Sequence, residues 1–111
     1  MRWDDAVEGY WLTRRRSLSE ATVLDYALTF RRFGAWIENG ELKKVKPAHA
    51  NAFLEHLEED LDLAPKTVLN AWIALSSFWT WAQTELKVFH VMRQVARPKA
   101  PPWPTFPCAT S

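Results

Sequence analysis

"LAPKTVLNAWIALSSFWTWAQ", residues 63–83, decides how the rest of the chain reads. Pro65 suits the first position of a helix, where its missing N–H costs nothing. From there Val68, Trp72, Leu75, Trp79, Ala82 and Leu86 recur at steps of three and four, the pattern of a helix face buried against a core. The opening turn has another character: Lys66, Thr67 and Asn70 are polar, and Lys66, Asn70, Ala74 and Ser77 form a polar or small side turned away from the stripe. Spacing leaves that side open between ordinary solvent exposure and a surface approached closely by another molecule.

The chain before this stretch supplies three more helices. "RWDDAVEGYWLTRRR" (2–16) sets Trp3, Val7, Tyr10 and Trp11 at helical spacing, with acids early and arginines late as the helix dipole favours. "SLSEATVLDYALTFRRFGAWIENG" (17–40) offers Ser17 and Ser19 as alternative N-caps, the first with Glu20 completing a capping box, and Gly40 as a stop. Its stripe is Val23, Tyr26, Ala27, Phe30, Phe33 and Ile37. A shorter third helix opens at Pro47 and buries Ala50, Phe53, Leu54 and Leu57, with Leu61 as a further candidate. After Leu86 the repeat dissolves, and Pro98, Pro101, Pro102, Pro104 and Pro107 turn the remainder into an extended tail or linker. Such a tail suggests an excised domain or a truncation of something longer.

Composition agrees with one helical domain. At 111 residues the chain can bury one core, and 48% hydrophobic residues with only three glycines disfavour disorder and turn-rich sandwiches. No run approaches the roughly 18 apolar residues of a membrane span, and Asp4, Asp5 and Glu8 occupy the place where a signal peptide carries basic residues, so a cytoplasmic protein is expected. Cys108 is alone and no Cys/His spacing resembles a metal site. No metal, cofactor or small-molecule ligand is expected.

Net charge is only +1, but its distribution is uneven. Glu55, Glu58, Glu59, Asp60 and Asp62 form an acidic run, whereas Arg14–Arg16, Arg31 with Arg32, and Lys43, Lys44 and Lys46 are basic clusters. Solvated helix faces and interaction surfaces both produce such segregation. Catalytic signatures are missing: there is no glycine-rich phosphate loop, no Gly-x-Ser-x-Gly and no His-Glu-x-x-His. His56, beside Glu55 and Glu59, reads as a solvated helix residue. Adjacent Asp4 and Asp5 point in different directions on a helix and make a poor acid/base pair. What remains is the turn at residues 66–70. Lys66 and Thr67 combine an ammonium, a hydroxyl and the positive end of a helix, a set suited to phosphate, and Asn70 has the amide geometry to read a base edge, adenine above all.

Four segments in order, "LSEATVLDYALTFRRFGAWI", "VKPAHANAFLEHLEE", "APKTVLNAWIALSSFWTWA" and "VFHVMRQVARPK", resemble the core-binding, or SAM-like N-terminal, domain of tyrosine recombinases and phage integrases. The matching positions are Ser19, Thr22, Tyr26 and Phe33, then Phe53, Leu54 and Leu57, then Thr67, Leu75, Phe78, Trp79, Trp81 and Ala82. Departures are Ala64 where many members cap with Ser, and His90-Val91 where Asn-Pro is common. The resemblance implies an all-α bundle of four to five helices, forming half of a clamp on double-stranded DNA. It also implies DNA contacts at Thr22, Lys66, Thr67 and Asn70, and phosphate contacts from Arg97 and Lys99 in the "ARPK" linker. Residues 1–96 would then be the DNA-binding domain and 97–111 a linker toward an absent catalytic domain, with other recombinase protomers as partners on DNA. "HVMR" (90–93) fits the His-x-x-Arg of a recombinase active site but lacks its partner residues, so no catalysis is expected here. The alternative is a helical protein-interaction module, using the acidic run or an exposed patch of Trp11, Trp36 and Trp81.

Overall fold

The computed structural model describes residues 1–98. Among them the chain forms four α-helices, α1 (Trp3–Arg14), α2 (Glu20–Trp36), α3 (Pro47–Glu59) and α4 (Pro65–Glu85), with 3₁₀ turns at Arg15–Ser17, Leu42–Lys44 and Val91–Gln94. The only strand-like feature among the described residues is a single bridge between Arg2 and Glu41.

Of the two candidate caps for α2, the chain uses Ser19. Its Oγ accepts the Thr22 N–H at 3.2 Å and its hydroxyl donates to Thr22 Oγ1 at 2.8 Å. Ser17 instead donates back to the Arg14 carbonyl at 2.9 Å, so it closes the end of α1 rather than opening α2. Beyond α2 the chain reverses through Glu38 and Asn39, both at positive φ. That reversal also starts α1, because Asn39 Oδ1 accepts the Asp4 N–H at 2.9 Å and satisfies an otherwise orphaned helix donor. α3 begins at Pro47 as read, and His49 Nδ1 accepts the Lys46 N–H at 3.0 Å.

The predicted stripes of α2 and α3 are largely the buried ones: Val23, Phe30 and Phe33, then Ala50, Phe53, Leu54 and Leu57. Tyr26, Ala27 and Ile37 are half-buried. Leu61 is exposed, since α3 has ended before it and Asp62 turns the chain at positive φ. On α4 the expectation fails in part. Val68, Leu75, Trp79 and Ala82 are buried as read, but so are Ala71, Ala74, Phe78 and Trp81, while Trp72 is only half-buried. The reason is that α1, α2, α3 and the 91–94 turn all pack against α4, so it buries far more than one stripe. Ala74 belongs to the core, and Ser77 is engaged by the Tyr10 hydroxyl at 2.8 Å, so neither extends an outward polar side.

Trp3 stands at the centre. Its ring lies 4.6 Å from Phe78, 5.0 Å from Phe33, 5.6 Å from Trp79 and 6.0 Å from Phe30, centroid to centroid, in tilted and edge-on arrangements that aromatic quadrupoles favour. The segment after α4 is not an extended tail from its start. Lys87 at positive φ turns the chain back, and Val91, Met92 and Val95 are buried in the core. The proline-rich stretch from Lys99 onward lies outside the described residues. No helix among the described residues is long and apolar enough to cross a membrane.

Candidate nucleic-acid interface

α4 is preceded by Ala64, whose extended backbone has the geometry of an N-cap but whose methyl accepts no hydrogen bond. Pro65 brings no N–H, and that of Thr67 turns back to the Ala64 carbonyl at 2.9 Å. Of the first three helical positions this leaves the Lys66 N–H for an external acceptor, fewer donors than the sequence alone suggests. Lys66 and Thr67 are exposed and Asn70 is half-buried. Four residues along a helix is a rotation of about 400°, so Lys66 and Asn70 sit about 40° apart on one side. Half-buried Ile73 continues that side as an apolar neighbour.

Thr22 stands in the first turn of α2. It is half-buried, and its Oγ1 already accepts from Ser19, so what it retains for a ligand is its hydroxyl proton and one lone pair. Arg14, Arg15 and Arg16 are all exposed and lead into this cap.

Arg97 is placed differently from the Lys66 group. Its guanidinium lies over the Trp72 ring, 5.8 Å from the centroid, and Trp72 Nε1 donates to the Val95 carbonyl at 3.2 Å. Trp72 is six residues from Lys66, about 120° round the helix, so Arg97 lies on another side of α4. There it borders a groove shared with Glu55, Glu58 and Glu59. Residues 72 and 97 are 25 apart in sequence, and nothing in either neighbourhood announces the pairing. Lys99 lies outside the described residues.

His56 stacks on Trp36, with ring centroids 4.8 Å apart, and its Nδ1 lies 2.8 Å from Asp60 Oδ2. His90 is buried, with Nε2 at 3.1 Å from Thr80 Oγ1, and burial, seconded by the nearby Arg93 charge, holds its pKa below the usual imidazole value. No group of three or more His, Cys, Asp or Glu among the described residues could hold a metal ion. Trp11, Trp36 and Trp81 do not make one exposed patch: Trp81 is buried and Trp11 half-buried, leaving Trp36 exposed.

Helix order, caps and the aromatic core around α4 define an all-α domain of the SAM-like kind. The chain belongs to the phage integrase N-terminal SAM-like domain family, whose family model matches residues 10–87. No curated protein and no solved structure matches the chain.

Proposed function

We propose that residues 1–96 are the DNA-gripping, non-catalytic part of a tyrosine site-specific recombinase acting in DNA integration or recombination, with residues from 97 onward linking to a catalytic domain. The observation that carries this reading is the side of α4 bearing Lys66 and Asn70. The first turns of α4 keep an ammonium, a hydroxyl and an amide accessible beside the positive helix end. Membership in a family of phage integrase domains supports double-stranded DNA as the partner of that face. Lys66 and Thr67 would hold phosphate, Asn70 a base edge, and Thr22 a second point on the backbone. Arg97, beside three carboxylates, is the weakest of the proposed contacts, because a phosphate there would meet Glu55, Glu58 and Glu59. Strand cleavage, a cytoplasmic setting and assembly with further protomers belong to the same reading.

One half-clamp with few cations should bind weakly, with dissociation constants on the order of 10⁻⁴ to 10⁻⁶ M at physiological salt. Fluorescence anisotropy with labelled duplex tests this. Affinity should fall as salt rises, and Lys66→Ala should reduce the slope of log K against log salt by about 0.9. A flat salt dependence, or a Lys66→Ala variant equal to wild type, contradicts it. A second reading, a protein-interaction module, is favoured by the groove between α3 and α4.

A further inference from the structure

Between α3, the first turn of α4 and residues 96–98 lies a groove of about 660 Å³. Its floor is apolar, formed by Leu54 and Val68 with Pro65 beside them. One wall carries Glu55, Glu58 and Glu59, all exposed, and no ion pair among the described residues engages any of the three. The chain leaves the described fold along the rim of this groove. Val95 is buried and its carbonyl accepts the Trp72 Nε1–H at 3.2 Å, Arg97 rests on the Trp72 ring, and Pro98 lines the groove itself. The segment after Pro98 therefore starts at the edge of the groove, from a point that Trp72 holds in place.

That segment has the composition and spacing the groove would select. Residues 99–111 carry a single charged side chain, Lys99, and no acidic one that the glutamate wall would repel. Pro101, Pro104 and Pro107 recur at steps of three, and so do Ala100, Trp103 and Phe106. A polyproline II helix turns once in three residues, so in that form the second set makes one apolar edge. Such a helix advances about 12 Å from Lys99 to Trp103. The stretch of α3 that lines the groove, Asn51 to Glu59, rises by about the same 12 Å.

We propose that residues 99–104 dock in the α3–α4 groove of their own chain as a polyproline II helix, with Trp103 on the Leu54 and Val68 floor and the Lys99 ammonium against the glutamate wall. Proline-rich segments suit apolar grooves because they have little conformational freedom left to lose. Tethering at Pro98 adds an effective concentration on the order of millimolar, so a contact too weak to join separate molecules closes within one. Docking fixes the direction in which the chain continues past residue 104. It involves this chain alone and stands whether or not the first turns of α4 grip DNA.

The test is nuclear magnetic resonance of the full chain without DNA, at low salt and at two protein concentrations. The Trp103 indole, identified by the signal that Trp103→Ser removes, should show nuclear Overhauser contacts to the methyls of Leu54 and Val68, equally at both concentrations. Trp103→Ser should shift the amides of residues 54–59 and 65–68 and leave those of α1 in place. Lys99→Glu, which sets a like charge before the glutamate wall, should abolish the indole contacts. Both substitutions lie outside the packed helices, so neither tests folding in place of docking. An indole without contacts to either methyl, groove amides indifferent to Trp103→Ser, or contacts that survive Lys99→Glu overturn the proposal. So do contacts that fade on dilution, which would seat the segment on a second copy.

Discussion

Trp3 fills the space that a side chain at position 34 would need. A Cβ built on Gly34 would stand 2.7 Å from Trp3 Cδ1 and 2.9 Å from its Nε1. The indole has no room to retreat, being 1% exposed, with Nε1–H donating to the Phe30 carbonyl at 2.9 Å. Helix propensity alone would favour alanine over glycine by about 1 kcal/mol. Overpacking an interior costs about 1–3 kcal/mol, and here the obstacle is a fixed ring. Gly34→Ala should therefore destabilise the domain by about 1–2 kcal/mol in urea unfolding, and a gain in stability would show that α1 can shift away from α2.

The two helix starts differ in quality. Ser19→Ala removes the cap bond to Thr22 and should cost about 1 kcal/mol. Ala64→Ser, placed on a backbone already extended, should add about 0.5–1 kcal/mol. Ala64→Asp separates folding from binding. It should raise the thermal midpoint through the same cap while weakening DNA binding, because it puts a negative charge beside Lys66. Tighter DNA binding by Ala64→Asp would contradict the assignment of this end of α4.

His90 makes stability depend on pH. Its neutral form is the buried one, so the folded pKa lies below the usual 6.5 and, between the two values, the unfolded chain binds more protons. Stability is full above the unfolded pKa and declines as pH falls through it toward the folded value, by at most about 1.4 kcal/mol per pH unit. Chemical unfolding of wild type and His90→Gln at about pH 7.5 and about pH 5 isolates this contribution from the other titrating groups. The wild type should lose more stability on acidification, and equal losses would show that His90 is protonated without cost.

Much of this was legible in the sequence because local signals agreed with tertiary ones. Ser19, Pro47 and Pro65 mark starts that the backbone honours, and the stripes of α2 and α3 bury nearly as spaced. α4 was misread in one respect. A single stripe assumes one neighbour, whereas α4 is covered from several sides, which takes Ala74 and Ser77 off the surface. Val91, Met92 and Val95 lack helical periodicity, so their burial follows only from where the turn at Lys87 sends the chain. Lys66, Thr67 and Asn70 stand out in the sequence because polar residues open an otherwise aromatic helix. The Arg97–Trp72 contact joins segments with no pattern in common.

The most direct test of the DNA-gripping account is a ¹⁵N–¹H titration of the domain with duplex DNA at low and then moderate salt, comparing wild type with Lys66→Ala and Asn70→Ala. Expected are shifts concentrated at residues 64–73 and in the first turn of α2, reduced by salt and by Lys66→Ala. No shifts at low salt, or shifts confined to the Glu55–Asp62 end, would contradict it.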